Sequence, residues 1–187
     1  MKPLKYLLLT CLIATFISCD NDEDTTAAVN PESIVGTWSL SALEADVNLT
    51  SSFANLPISS NTRSVGENFD YTVVFTENTY TAEGSYDIVT TGTVNGLPID
   101  TDRQTITDAS ETGTYSLSNG SIEFGGELFD LASSELELGE FTGDQALNIV
   151  FDSNGNLVMT QTLETTVEEE GITVATTIDA EIVLTRN

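Results

Sequence analysis

Asp100, Asp102 and Asp108 crowd one short stretch of the chain, and paired carboxylates are what a protein uses to protonate and attack a glycosidic bond. This is the strongest acid–base chemistry on offer, because the chain contains no histidine. Carboxylates at alternate positions of a strand, however, more readily share a solvated face than form a catalytic pair. Oxygen ligands for calcium are plentiful, and Asp152-Ser153-Asn154-Gly155-Asn156 has some of the order of a calcium loop. Its glycine stands fourth rather than sixth, and no glutamate occupies the twelfth position, so a hairpin turn explains it better. Cys19 is the remaining nucleophile, but no imidazole can activate it, and the acids that follow it would raise its pKa. These residues point to no catalysis, no cofactor and no bound metal.

The charge balance narrows the classes further. Thirty Asp and Glu oppose five Lys and Arg, a net of −25. Such a surface repels phosphates, so a nucleic acid partner is excluded, as is electrostatic attraction to anionic headgroups. The only lysines are Lys2 and Lys5, both in a segment that should be removed. Positive Lys2 and Lys5 precede the run Tyr6 to Ile17, which is the plan of a secretory signal peptide and too short to cross a bilayer as a helix. Without these lysines the chain retains Arg63, Arg103 and Arg186 against thirty acids, a net of −27.

Phe16-Ile17-Ser18-Cys19 resembles the lipobox of bacterial lipoproteins. The resemblance implies a signal peptide over residues 1–18 and acylation of Cys19, with Phe16 standing where leucine is commonest. Cys11 as the modified residue would leave only about five apolar residues after Lys5, below the usual length of such a region. With Cys11 removed and Cys19 acylated, the remainder has no disulfide, and its fold rests on its core. Residues 19–31 form the anchor and an acidic tether, since Asp20-Asn21-Asp22-Glu23-Asp24 and the small polar residues after it cannot bury apolar surface. The acid run is similar to the export tags that carry lipoproteins to the outer face of some Gram-negative outer membranes. Its other reading is a plain solvated spacer reaching roughly 20 Å. The expected location is the outer membrane of a Gram-negative bacterium, with acyl chains on Cys19 as the membrane contact and periplasmic or outer face left open.

Residues 32–187 suit one domain. Its patterns have period two: Phe69, Tyr71, Val73 and Phe75 alternate with polar or smaller neighbours, and Ile172 to Leu184 alternate over an unusually long run. Asn95-Gly96, Asn119-Gly120 and Asn154-Gly155 mark type I′ hairpin turns, with Glu170-Gly171 and Glu77-Asn78 as further candidates. Strands are expected near 35–43, 69–76, 79–94, 97–108, 112–118, 121–125, 145–152, 156–167 and 172–185. Residues 44–68 lack a sustained pattern and read as a long loop over one barrel mouth. Residues 126–144 are ambiguous between strand, helix and loop. The fold class is all-β, an antiparallel up-and-down meander of about 8 to 10 strands that closes to remove its edges.

Ile34-Val35-Gly36-Thr37-Trp38 resembles the Gly-x-Trp signature that opens lipocalin-like domains. That resemblance implies a barrel closed at one end by Trp38, with Arg186, just beyond the last strand, packed over the indole. Together with the lipobox it points to lipocalin-like lipoproteins of uncharacterised role. Phe69, Tyr71, Phe75, Tyr80, Tyr86, Tyr115, Phe124 and Phe151 are the aromatics expected to face inward. They either line a cavity for a small apolar ligand or fill a packed core. The functional expectation is a lipid-anchored binding module. The alternative is a ligand-free interaction head that contacts an envelope protein or glycan, its determinants on loops 44–68 and 126–144. No protein partner can be named from the sequence.

Overall fold

A computed structural model describes residues 29–53, 56–125, 128, 146–169 and 172–187. Strand accounts for 82% of these residues, and the single described helix, α1, spans Pro31–Ile34. The strands are β1 (Gly36–Phe53), β2 (Leu56–Phe75), β3 (Thr79–Val94), β4 (Leu97–Pro98), β5 (Asp102–Ser118), β6 (Ser121–Gly125), β7 (Ala146–Phe151), β8 (Leu157–Glu169) and β9 (Ile172–Arg186). Each barrel strand pairs antiparallel with the next one in the barrel, and β9 returns to pair with β1 from Trp38↔Arg186 to Ser52↔Thr173. The result is a closed eight-stranded barrel, with β4 as an extra two-residue strand on β3.

One end of the barrel gathers α1, the start of β1, the end of β9 and three turns. Asn30 caps α1: its side chain accepts from the Ser33 amide at 2.9 Å, while Ser33 Oγ accepts from the Asn30 amide at 2.9 Å. With Pro31 at the first helical position, the caps hold a helix too short to stand on propensity alone. The Thr76–Thr79 turn, the Asn119-Gly120 turn and the Asp152–Asn156 turn lie at this closed end. The β1–β2 connection and the Asn95-Gly96 turn lie at the opposite, distal end.

Asn95 and Gly96 have φ of 48° and 76°, and Asn119 and Gly120 of 52° and 79°, as type I′ turns require. The third Asn-Gly differs. Gly155 alone is left-handed, at φ 81°, because the Asp152 carboxylate organises a longer turn by accepting from the Asn154 and Asn156 amides at 2.8 and 2.9 Å. Glu170-Gly171 lies outside the described residues, as does the segment 126–145 except for Leu128.

The largest departure from expectation concerns residues 44–68. Apart from 54 and 55, which are outside the described residues, they are strand: β1 runs on to Phe53, and β2 begins at Leu56. On β1 the period is present, with Leu43, Ala45, Val47 and Leu49 alternating against Glu44, Asp46, Asn48 and Thr50, whereas on β2 the inward Ser60, Thr62 and Ser64 are as polar as their outward neighbours and conceal the strand. Backbone ladders to β9 and β3 fix these strands instead. The expected break between 108 and 112 is also absent. Asp108 has φ 54° at a bulge, and β5 continues through it, with Gly84 facing Ala109 and Tyr86 facing Ile106.

The core sits towards the closed end. Ile34, Trp38, Val73, Ile122, Leu157, Met159 and Leu184 are fully enclosed, and the buried aromatics belong to the same cluster. A second, small cluster of Val47 and Ile178 with Leu163 lies further along the barrel. β6 and β7 are only five and six residues long. Among the described residues, β5 from Asp102 to Gly113 therefore pairs only with β3, and β8 beyond Thr160 only with β9. The described strands and both clusters lie in residues 34–186.

Candidate functional site

Trp38 lies at the start of β1, completely buried, and its indole N–H donates to the Ile34 carbonyl at 2.8 Å. Phe151 stacks on it with ring centroids 6.2 Å apart. Arg186 covers it from outside, its guanidinium carbon 4.8 Å from the ring centroid, and donates to the carbonyls of Ser33 at 2.7 Å and Val35 at 3.2 Å. The cation therefore ties α1 to the last strand while sitting on the aromatic face. This latch seals the closed end.

Beyond the latch, the inward aromatics pack on one another. Tyr71 meets Tyr86 edge-on at 5.3 Å, Phe75 meets Tyr115 at 5.3 Å, and Tyr80 meets Phe124 at 5.2 Å. Phe75 and Phe124 lie 6.3 Å apart, while Phe69 and Phe151 are partly buried against the cluster. The Tyr71 hydroxyl donates to the Leu128 carbonyl at 2.9 Å, and Leu128 is buried in the same cluster. Burial, with smaller contributions from Tyr86, Glu111 and Tyr80, pushes the Tyr71 hydroxyl far above its usual range. Tyr115 is raised mainly by burial, and its hydroxyl donates to the Thr76 carbonyl at 2.5 Å. The eight aromatics thus build the floor of the barrel.

The distal half is lined differently. Ala45, Val47, Thr62, Gln161, Ile178 and Ala180 are buried there, and Ser64 faces Thr90 across 3.0 Å. At the rim the character changes again: Leu56, Ile58, Val94, Leu97 and Ile99 are 67%, 41%, 39%, 71% and 44% exposed. They share a face, since Val94 pairs with Leu97 and with Ser60, which is in register with Ile58 and Leu56 along β2. The Ile99 side chain approaches Gly92 beside the buried Thr62. Five exposed apolar side chains in inward register rim the distal mouth. The sequence carried the signal in the apolar residues flanking Asn95-Gly96, but assigning 44–68 to a loop hid the other half of the rim.

The candidate catalytic acids do not converge. Asp102 and Asp108 are six residues apart on β5, about 20 Å of strand, and Asp108 occupies the bulge. The Asp152 carboxylate is taken up by the turn, including the Asn156 side-chain amide at 2.8 Å, and these hydrogen bonds, the Asn156 amide first, hold it below the usual carboxylate range. Among the described residues there is no group of three or more potential metal ligands and no helix long and apolar enough to cross a membrane. Arg63 pairs with Glu44 and Asp46, and Arg103 with Glu67 and Asp87, all on the outer faces of neighbouring strands. Cys19 and the acidic tether lie outside the described residues.

These features define a class: an all-β, up-and-down antiparallel barrel of lipocalin-like architecture, latched at one end and apolar-rimmed at the other. Comparisons with family models, curated proteins and solved structures returned no match.

Proposed function

We propose that this protein is a lipid-anchored envelope lipoprotein whose barrel binds a small apolar or amphiphilic ligand at its distal mouth, without catalysis. The observation that carries this is the rim of Leu56, Ile58, Val94, Leu97 and Ile99, exposed in inward register at the end opposite α1. Exposed apolar side chains gathered at one mouth cost solubility unless they meet something. The tether enters at the closed end, so an anchor on Cys19 points the mouth away from the membrane, at the far end of about 60 Å of β1. The charge of the chain supplies no attraction to an anionic membrane, which makes the acyl chains its membrane contact.

Purified residues 20–187 should take up a neutral fluorescent dye such as N-phenyl-1-naphthylamine. The Leu56→Ser/Leu97→Ser variant should lose that uptake while keeping its melting temperature. Equal uptake by both proteins would refute the mouth. In the intact cell, Cys19→Ser should move the protein out of the membrane fraction, and an unchanged distribution would refute the anchor. A second reading, an interaction head displayed on its lipid stalk, is favoured by the aromatic packing of the floor, which fills the space those rings line. On that reading the same rim contacts a protein or glycan, and dye uptake fails.

A further inference from the structure

Building on the binding reading above, we propose that the mouth selects by charge: it accepts amphiphiles with an uncharged or cationic head and rejects those with an anionic one. Every arginine of the chain is committed elsewhere. Arg63 and Arg103 each bridge two carboxylates on the outer surface, and Arg186 lies on Trp38 at the opposite end. Residues 29–187 contain no lysine, and 26 acids against these three arginines leave a net of −23.

The inner face follows the same rule. Its inward register positions hold no Lys or Arg and include Asp102 at the start of β5, opposite Thr90, and Glu111, opposite the buried Ala82. Asp100 follows directly on the rim residue Ile99 and is exposed. The polar groups below the mouth, Thr62 and Ser64, are uncharged hydroxyls that can take part in a hydrogen bond with any of these heads but offer an anion no counter-charge. A carboxylate or sulfate head entering here would exchange water for a site with no cation and with Asp102 nearby, a transfer disfavoured by both desolvation and repulsion. An ammonium head would meet Asp102 instead, and a hydroxyl head would be indifferent to the field.

The test displaces N-phenyl-1-naphthylamine from residues 20–187 with three ligands of identical chain and different head: dodecanol, dodecylamine and dodecanoate, at neutral pH and physiological ionic strength. Dodecanol and dodecylamine should displace the dye, and dodecanoate should be weaker by roughly tenfold or more, as expected for a single like charge near the site. The Asp100→Lys/Asp102→Lys variant should recover most of the dodecanoate affinity and leave dodecanol unchanged. Dodecanoate binding as tightly as dodecanol to the unaltered protein would overturn the charge rule while leaving the binding site standing. Failure of the dye and of all three ligands to bind would overturn both.

Discussion

Removing Arg186 tests the latch most directly, because the structure separates its contributions. Its guanidinium sits 4.8 Å from the Trp38 ring centroid and donates to two carbonyls, and the side chain is exposed. Exposure puts the cation–π term at the low end, about 0.5–1 kcal/mol. Solvated hydrogen bonds from a charged donor contribute a further increment of about 0.5–1 kcal/mol. Arg186→Ala should therefore cost about 1–2 kcal/mol in urea denaturation followed by far-ultraviolet circular dichroism. Trp38→Phe removes the indole N–H bond to Ile34 and leaves a void, and should cost about 2–3 kcal/mol. The double variant isolates the contact, since loss of a positive charge from an acidic protein appears in both arms and cancels. A coupling of about 0.5–1 kcal/mol is expected, with Arg186→Lys recovering only part of it because a lysine lacks the fork that spans Ser33 and Val35. Additivity within about 0.3 kcal/mol would show that the guanidinium and the indole are neighbours without being partners.

Gly84→Ala should be the most damaging small substitution: Gly84 has φ +134°, and an added Cβ would stand 1.9 Å from the Asp70 carbonyl oxygen. A loss of about 3 kcal/mol or more is expected, and a stable, natively folded variant would contradict the close approach of β2 and β3. Tyr71→Phe strands the buried Leu128 carbonyl and should cost about 1–2 kcal/mol, with greater proteolytic nicking of the β6–β7 connection as the second readout. Asp152 is depressed in the folded state, so its stabilisation is present above the ordinary aspartate pKa of about 3.9 and is lost as pH falls through the folded value. The stability gap between the native protein and Asp152→Asn should accordingly be constant near neutrality and shrink below about pH 4; a gap that widens on acidification would refute the turn's dependence on the ionised carboxylate.

The legible parts of the fold were those where side chains carry a period. β2 between Phe69 and Phe75 and β9 between Ile178 and Leu184 place large apolar groups on one face, and both are strands with that face buried. Trp38 and Arg186 were legible as a pair through the resemblance to lipocalin-like domains, and the closure of β9 on β1 places the guanidinium over the indole. The distal half of β2 was not legible: its inward positions hold Ser60, Thr62 and Ser64, and a strand whose two faces are both polar reads as a loop. In β1 the alternation of Leu43, Ala45, Val47 and Leu49 with Glu44, Asp46, Asn48 and Thr50 was present in the sequence and was masked by the patternless stretch that follows it. Asp108 likewise suggested a strand end, whereas the left-handed residue forms a bulge that bends β5 without ending it. The rim could not be assembled from sequence, because Leu56 and Leu97 become neighbours only through the β2–β3–β4 register.

The division between floor and rim follows from where the apolar residues were placed. Aromatic side chains concentrate near the latch and give that end of the barrel its enclosed contacts, while the distal strands rest on backbone ladders and on a few small inward groups. The two outer arginines act in the distal half and the middle: Arg63 joins β2 to β1, and Arg103 joins β5 to both β2 and β3. With so few cations in an acidic chain, their use as strand clamps rather than ligand contacts shows what the outer surface needs, because Glu44 directly faces Glu181 and Asp46 faces Asp179 across β1 and β9. On the proposed reading, a mouth on the less enclosed half would adjust its rim without disturbing the core, as binding elements on a rigid scaffold usually do. The same economy of positive charge that leaves the distal strands needing clamps also leaves the mouth without a cation to meet an anionic head.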